Sequence, residues 1–274
     1  MRKWTCYVIT GVLFLSGTEV LSQQQSGKTI KFSKKQLIVS PYEGCAVADI
    51  NLDGHQDIVS SPHIFFGPDF IPRAFRSNHL SPDYIHANSD FVFDVDEEGL
   101  PDIIIGAWGK EGPVWYKNPG NSAADSGKPW EMHKAWNMDT LTTTSGRNEM
   151  YALHDYNGDG IPEIHISCFV PKEPQKVYRF TKDLSGQPAL ESFVLGEEGG
   201  GHGFAWGDVN GDGREDLLSE IGWYERPEGD PFAKSWTLHP ETDLSKYHPS
   251  CPFVAKDLNE DGRLCLLYTS DAAD

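Results

Sequence analysis

Five stretches of this chain place carboxylate and amide side chains at every second position. Asp49-Ile-Asn-Leu-Asp-Gly-His-Gln-Asp57 is followed by Asp94-Val-Asp-Glu-Glu-Gly-Leu-Pro-Asp102, Asp155-Tyr-Asn-Gly-Asp-Gly-Ile-Pro-Glu163 and Asp208-Val-Asn-Gly-Asp-Gly-Arg-Glu-Asp216. A fifth copy begins at Asp257 and meets Cys265 where its relatives carry an acid. Oxygens at positions 1, 3 and 5 can converge on one point when the backbone curls. Glycine at position 6 permits the turn, position 7 can offer its carbonyl, and an acid at position 9 closes the shell. Such an all-oxygen set suits a hard cation such as calcium. The candidate ligands are Asp49, Asn51, Asp53 and Asp57; Asp94, Asp96, Glu98 and Asp102; Asp155, Asn157, Asp159 and Glu163; Asp208, Asn210, Asp212 and Asp216; and Asp257, Asn259 and Asp261. EF-hand loops start in the same way but close at position 12 between helices, whereas these close at position 9. The plainer alternative is a set of acidic hairpin turns, since Asp, Asn and Gly also favour ordinary turns.

The copies are separated by 45, 61, 53 and 49 residues, close to the length of one four-stranded propeller blade. Each follows a short apolar segment (Ala46-Val-Ala48, Phe91-Val-Phe93, Tyr151-Ala-Leu153, Phe204-Ala-Trp206, Phe253-Val-Ala255) and precedes a β-rich one beginning at position 9. Runs this short, bounded by Gly, Asn, Asp and Pro, predict strands, with each loop joining the first two of a blade. Val114-Trp-Tyr-Lys-Asn-Pro119 and Gly222-Trp-Tyr-Glu-Arg-Pro227 supply third strands, and Trp130-Glu-Met-His133 and Trp236-Thr-Leu-His239 supply fourth strands. No long amphipathic helix is written into the chain.

Acidic residues outnumber basic ones 41 to 23, for a formal charge of −18, which argues against nucleic acid and anionic membranes as partners. Arg2 and Lys3, the apolar run from Trp4 to about Leu15 and the Val20-Leu21-Ser22 site read as a signal peptide over residues 1–22. The run is shorter than the roughly 20 apolar residues that span a bilayer. The expected mature chain is therefore secreted, periplasmic or displayed at the cell surface, with no membrane span. Cys6 leaves with the signal peptide. Cys45, Cys168 and Cys251 have no metal-type spacing and are expected as small buried side chains.

The Asp-x-Asn-x-Asp-Gly-x-x-Asp loops resemble the FG-GAP/VCBS repeat family, whose blades form propellers like the N-terminal domain of integrin α chains. The resemblance spans about residues 41 to 264, and the expected propeller domain is 23–264. It implies an all-β propeller of four-stranded blades, with four blades and the start of a fifth here and about seven in the full-length protein. Carried over by position, it implies calcium ligation by the loop residues named above. Phe66-Gly-Pro and Gly106-Ala-Trp only faintly echo the elements that name the family, which favours the broader group of secreted bacterial repeat proteins over integrins. The terminal Cys-Leu-Leu-Tyr-Thr-Ser-Asp-Ala-Ala-Asp has no strand pattern like the other repeats and looks like translated sequencing adapter. Residues 265–274 are thus expected to be non-native, with the missing carboxylate encoded beyond the chain.

No nucleophile elbow, His-Glu-x-x-His helix, phosphate loop or Cys-x-x-Cys pair is present. The catalytic candidates are His154, His202 and His248, all near first strands, which line the channel of a propeller. Trp108, Trp115, Tyr116, Trp223 and Tyr224 could stack on sugar rings, but packing between sheets is the stronger expectation. Three functions follow: a calcium-stabilised module binding an extracellular glycan or protein, which is preferred; a lyase or dehydratase resembling aldos-2-ulose dehydratase; and a non-catalytic scaffold of a larger protein. The chain leans away from being an enzyme.

Overall fold

The computed structural model describes residues 32–39, 43–76, 80–81, 84–85, 88–106, 113–120, 131–134, 148–168, 173–199, 201–247 and 249–270. Val39–Asp274 form one compact unit and Met1–Ile38 another, and residues 32–38 of the latter carry no strand. The larger unit is all-β.

Sheet I contains β1 (Ala46–Ala48), β2 (Asp57–Ser60), β3 (His63–Phe66) and β4 (Ile71–Ala74). A small hairpin, β5 (Leu80–Ser81) and β6 (Tyr84–Ile85), precedes sheet II, formed by β7 (Ser89–Phe93), β8 (Asp102–Gly106), β9 (Val114–Lys117) and β10 (Glu131–Lys134). Sheet III holds β11 (Asn148–His154), β12 (Glu163–Cys168), β13 (Gln175–Lys182) and β14 (Pro188–Gly196). Sheet IV holds β15 (Phe204–Gly207), β16 (Asp216–Ser219), β17 (Gly222–Glu225) and β18 (Thr237–His239), and β19 (Pro249–Lys256) pairs with β20 (Cys265–Ser270). All four large sheets are antiparallel meanders with strands in chain order. The expected positions of the third and fourth strands in sheets II and IV are borne out. Two single-turn 3-10 helices, Pro240–Thr242 and Ser245–Tyr247, are the helical segments among the described residues.

Short alternating strands cannot bury both faces alone, so each sheet packs on the next. Ile50, Val59, Ile64 and Phe75 of the first repeat meet Ile103, Ile105 and Tyr116 of the second in one cluster. Phe93 of sheet II stacks on Phe180 of sheet III, with ring centroids 4.8 Å apart. Tyr156, Val177 and Leu195 meet Phe204, Leu217, Tyr224 and Trp236 between sheets III and IV, and Ala205, Val209 and Leu218 meet Phe253 of β19. Two glycines mark how close the sheets come: a Cβ on Gly106 would lie 2.5 Å from the Tyr151 ring, and one on Gly196 would lie 2.4 Å from that of Tyr224. First strands of successive repeats also neighbour one another, β1 with β7, β7 with β11, and β15 with β19.

Two expectations are corrected. Residues 265–270 do form a strand, with Leu266 and Tyr268 on the alternate positions that pack against the Phe253 cluster. Cys45 is an exposed free thiol rather than a buried side chain. Trp115, Tyr116 and Tyr224 are packed inside, as expected, and Trp223 is half-buried and stacked on His239 at 4.1 Å. Trp108 lies outside the described residues.

Candidate metal centres in the strand-linking loops

All five loops connect the first strand of a repeat to the second, and they share one backbone. The position-6 glycines Gly54, Gly99, Gly160, Gly213 and Gly262 have φ between 80° and 88°. Position 4 is left-handed too, with Leu52 at 57°, Glu97 at 63°, Gly158 at 77°, Gly211 at 78° and Glu260 at 59°. Sequence reasoning missed this second turn, although glycine at position 4 of two loops was its signal.

The turns aim backbone N–H groups at the side-chain oxygens. In the first loop, Gly54 N–H donates to Asp49 Oδ2 at 2.8 Å, Asp53 N–H to Asp49 Oδ1 at 3.0 Å, and His55 N–H to Asp53 Oδ1 at 2.8 Å. The third loop repeats these bonds from Gly160, Asp159 and Ile161, the fourth from Gly213, Asp212 and Arg214, and the fifth from Gly262, Asp261 and Arg263. The fifth loop therefore keeps its shape without a position-9 acid. The carboxyls of Asp53 and Asp155 lie below their ordinary range. The His55 N–H is the largest cause at Asp53. At Asp155 slight burial is outweighed by the donors Gly160, Gly158 and Asp159.

Position 9 behaves differently. Asp57, Asp102, Glu163 and Asp216 are buried, and their carboxylates tie the hairpins together. Asp57 accepts from Ile50 N–H at 2.8 Å and Gly67 N–H at 2.7 Å; Asp102 from Val95 at 3.1 Å and Asn118 at 2.7 Å; Asp216 from Val209 at 2.9 Å and Arg226 at 3.0 Å. Glu163 accepts from Tyr156 N–H at 2.9 Å. The three aspartates are keystones joining position 2 of the loop to the end of the third strand, a role not legible in the nonapeptide, whereas Glu163 holds position 2 alone. In the fifth loop Leu258 at position 2 is 54% exposed, against 0% for Ile50. Burial, added to by nearby loop carboxylates, raises all four acids against the pull of their donors; Asp102 is pushed up to about 7 and Glu163 to about 6.

The donor set fits a hard cation. It is made of carboxylate and amide oxygens, and Asp94, Asp96 and Asp102 bring ligand oxygens within 4.8 Å of one another. Among the described residues, Asp96 Oδ1 and Glu163 Oε1 are buried carboxylate oxygens that no donor reaches, and both belong to these loops. The loops differ in compensating charge. In the second, the Lys117 ammonium from β9 donates to Asp96 and, at 2.7 Å, to Glu98; in the fourth, the Arg214 guanidinium pairs with Asp212.

Of the candidate catalytic histidines, His154 and His202 lie at opposite ends of their first strands. His154, at the loop end of β11, stacks on Trp206 at 4.2 Å and reaches Glu215 at 3.3 Å, and burial lowers its pKa. His202 precedes β15 at the opposite end, next to Gly201, whose carbonyl accepts from Ser167 Oγ at 3.0 Å. His248 lies outside the described residues. Sequence reasoning did not single out the buried chain in which Trp206 Nε1 donates to the Tyr156 hydroxyl at 2.9 Å, that hydroxyl meets His165 Nδ1 at 2.5 Å, and His165 Nε2 meets Gln175 Oε1 at 3.1 Å. It ties sheets III and IV together. His165 is fully buried, and burial lowers its pKa to about 4, so its ring stays neutral.

Residues 155–219, from the third loop to the end of β16, match the family model described as the FG-GAP-like repeat. No curated protein matches the chain significantly. With the third and fourth loops both inside the matched span, the chain is one that carries an FG-GAP-like repeat.

Proposed function

We propose that this chain is an exported propeller module, with one four-stranded sheet per blade, whose acidic loops hold calcium and whose loop-bearing surface binds an extracellular glycan or protein. The observation that carries the reading is the recurrence of one doubly left-handed, oxygen-lined loop between the first two strands of every repeat. Asp49, Asn51, Asp53 and Asp57, and their counterparts in the other loops, would hold the ion. Bound calcium supplies positive charge where several carboxylates otherwise repel. The chain's own residues do the rest: backbone N–H groups orient positions 1 and 5, and the keystones lock the hairpin. If free calcium is about ten times the dissociation constant, each site adds about 1.4 kcal/mol to folding stability.

Calorimetric titration of the metal-free protein, paired with thermal melting, tests the metal. Saturable calcium binding with a rise in melting temperature is expected, and a protein that neither binds nor is stabilised in millimolar calcium refutes the reading. Retention on immobilised polysaccharides or cell surfaces that chelator abolishes tests the binding role, and failure across a broad panel counts against it.

A further inference from the structure

The outer end of sheet IV gathers positive charge on a chain whose formal charge is −18. A cleft of about 200 Å³ is lined by Arg214, Arg226, Lys234 and Ser235 together with Glu225 and Glu228. The backbone beneath it is fixed. Arg226 N–H is held by the buried Asp216 at 3.0 Å, and the Arg226 carbonyl accepts from Arg214 Nε at 3.2 Å. Trp236 anchors the far wall, with its N–H on the Leu195 carbonyl at 2.6 Å and its indole Nε1 on that of Pro231 at 2.8 Å.

The charges in the cleft are not mutually satisfied. Arg226 Nε is buried and no acceptor reaches it. Among the described residues, neither the Arg226 guanidinium nor the Lys234 ammonium has an ion-pair partner. Of the two lining carboxylates, Glu225 is already engaged, since its Oε2 meets His239 Nε2 at 2.8 Å and its Oε1 accepts from Asn210 at 3.4 Å. Guanidinium donors suit the planar pair of oxygens on a carboxylate or the tetrahedral set on a sulfate. At physiological salt the net negative charge is screened beyond about 8 Å, leaving the three cations and two carboxylates of the lining to decide.

We propose that this cleft binds a small oxyanion, a carboxylate or a sulfate group. Its volume is below the roughly 300 Å³ at which pockets for drug-sized ligands begin, so it admits one acidic group rather than an extended ligand. Arg226 and Lys234 supply the charge, while the Ser235 hydroxyl is already given to Glu197. Nothing in this inference depends on what the neighbouring loop holds.

The test is calorimetric titration of the full chain with sodium glucuronate, sodium sulfate and glucose. Glucuronate or sulfate is expected to bind saturably and glucose is not; binding by both anions marks a general oxyanion site, and binding by glucuronate alone marks the acidic group of a sugar. Lys234→Gln alters an exposed side chain that holds no other residue, and should weaken anion binding on the order of tenfold. Arg226→Gln should weaken it further, with an unchanged circular-dichroism spectrum showing that the sheet is intact. No heat from either anion, or equal affinity in wild type and both variants, overturns the proposal.

Discussion

The second and fourth loops look alike in sequence, yet the strand facing each one answers it with opposite charge. Both repeats place Trp-Tyr on the third strand; Lys117-Asn118 follows in one and Glu225-Arg226 in the other. Position 3 differs to match: Asp96 meets the Lys117 ammonium, whereas Asn210 donates its amide to Glu225. The second loop thus carries carboxylates at positions 1, 3, 5 and 9 together with a built-in monovalent cation. The fourth has three such carboxylates, with Arg214 pairing with only one of them, at position 5. Loops that pass for copies can therefore differ in how much they depend on a divalent ion, and that difference lies on the third strand, outside the nonapeptide.

What the two loops share should give the largest effect. Asp102→Ala and Asp216→Ala each leave two backbone N–H groups without their acceptor, one on position 2 of the loop and one just beyond the third strand. Each substitution is expected to cost about 2–4 kcal/mol in urea denaturation, more than any change at positions 1, 3 or 5. Similar losses in the two variants place the keystone outside the Lys117 difference. A loss under about 1 kcal/mol in both would show that water replaces the carboxylate and that the keystone reading is wrong.

The next effect is a pH gradient of the metal-free protein. A carboxyl raised in the folded state takes up its proton there first, so folding is favoured as pH falls from the folded value toward the ordinary one. With Asp102 at about 7 and Glu163 at about 6, the melting temperature should rise as pH drops from 8 toward 6.5, below which the buried His165, lowered to about 4, opposes the trend. A cation in the loops stabilises the ionised forms, so millimolar calcium should flatten or reverse that gradient. An apo gradient of the opposite sign would mean that these acids are well solvated.

How far this could be read beforehand follows from what each signal encodes. The strands and their order were legible because the loops sit at a fixed place in each repeat and the flanking runs are too short for helices. Positions 1, 3, 5 and 6 were legible because their residue types are restricted by the turn itself. The keystone role was not, because an acid at position 9 reads equally well as a closing ligand; only its burial and its bond to a residue ten or more positions away separate the two roles. The strand at Cys265–Ser270 was missed for a related reason. Its alternating Leu266 and Tyr268 look unlike the Asp-led second strands, yet they present apolar groups to Phe253 at the same period. Whether the histidines converge was not legible either, because nearness to a first strand says nothing about which end of it a residue occupies.

Lys117→Gln sharpens the contrast directly. The ammonium is about a third exposed, so its pairs with Asp96 and Glu98 are worth no more than about 1 kcal/mol after solvent screening. In chelator the variant should be destabilised by that amount. In calcium it should gain affinity at the second loop, because the ion no longer displaces a resident cation, and calorimetry would register one site as tighter than in the wild type. Loss of a site instead would mean that Lys117 holds the ligands in place rather than competing for them.

The smallest effect separates the loops at position 4, where the backbone is left-handed in both but the residue is Glu97 in one and Gly211 in the other. A β-carbon in that conformation costs about 1–2 kcal/mol, so Gly211→Ala should destabilise by about 1 kcal/mol after the alanine restricts the unfolded chain. Glu97→Gly relieves the same strain, but it also frees the unfolded backbone and removes the exposed pair with Lys182, which together offset most of the gain. The two substitutions should therefore be unequal, a clear loss in the fourth loop against a change within about 0.5 kcal/mol in the second. Equal and opposite shifts would mean that the second loop bears the full strain of its turn, and that Lys117 rather than local conformation keeps it closed.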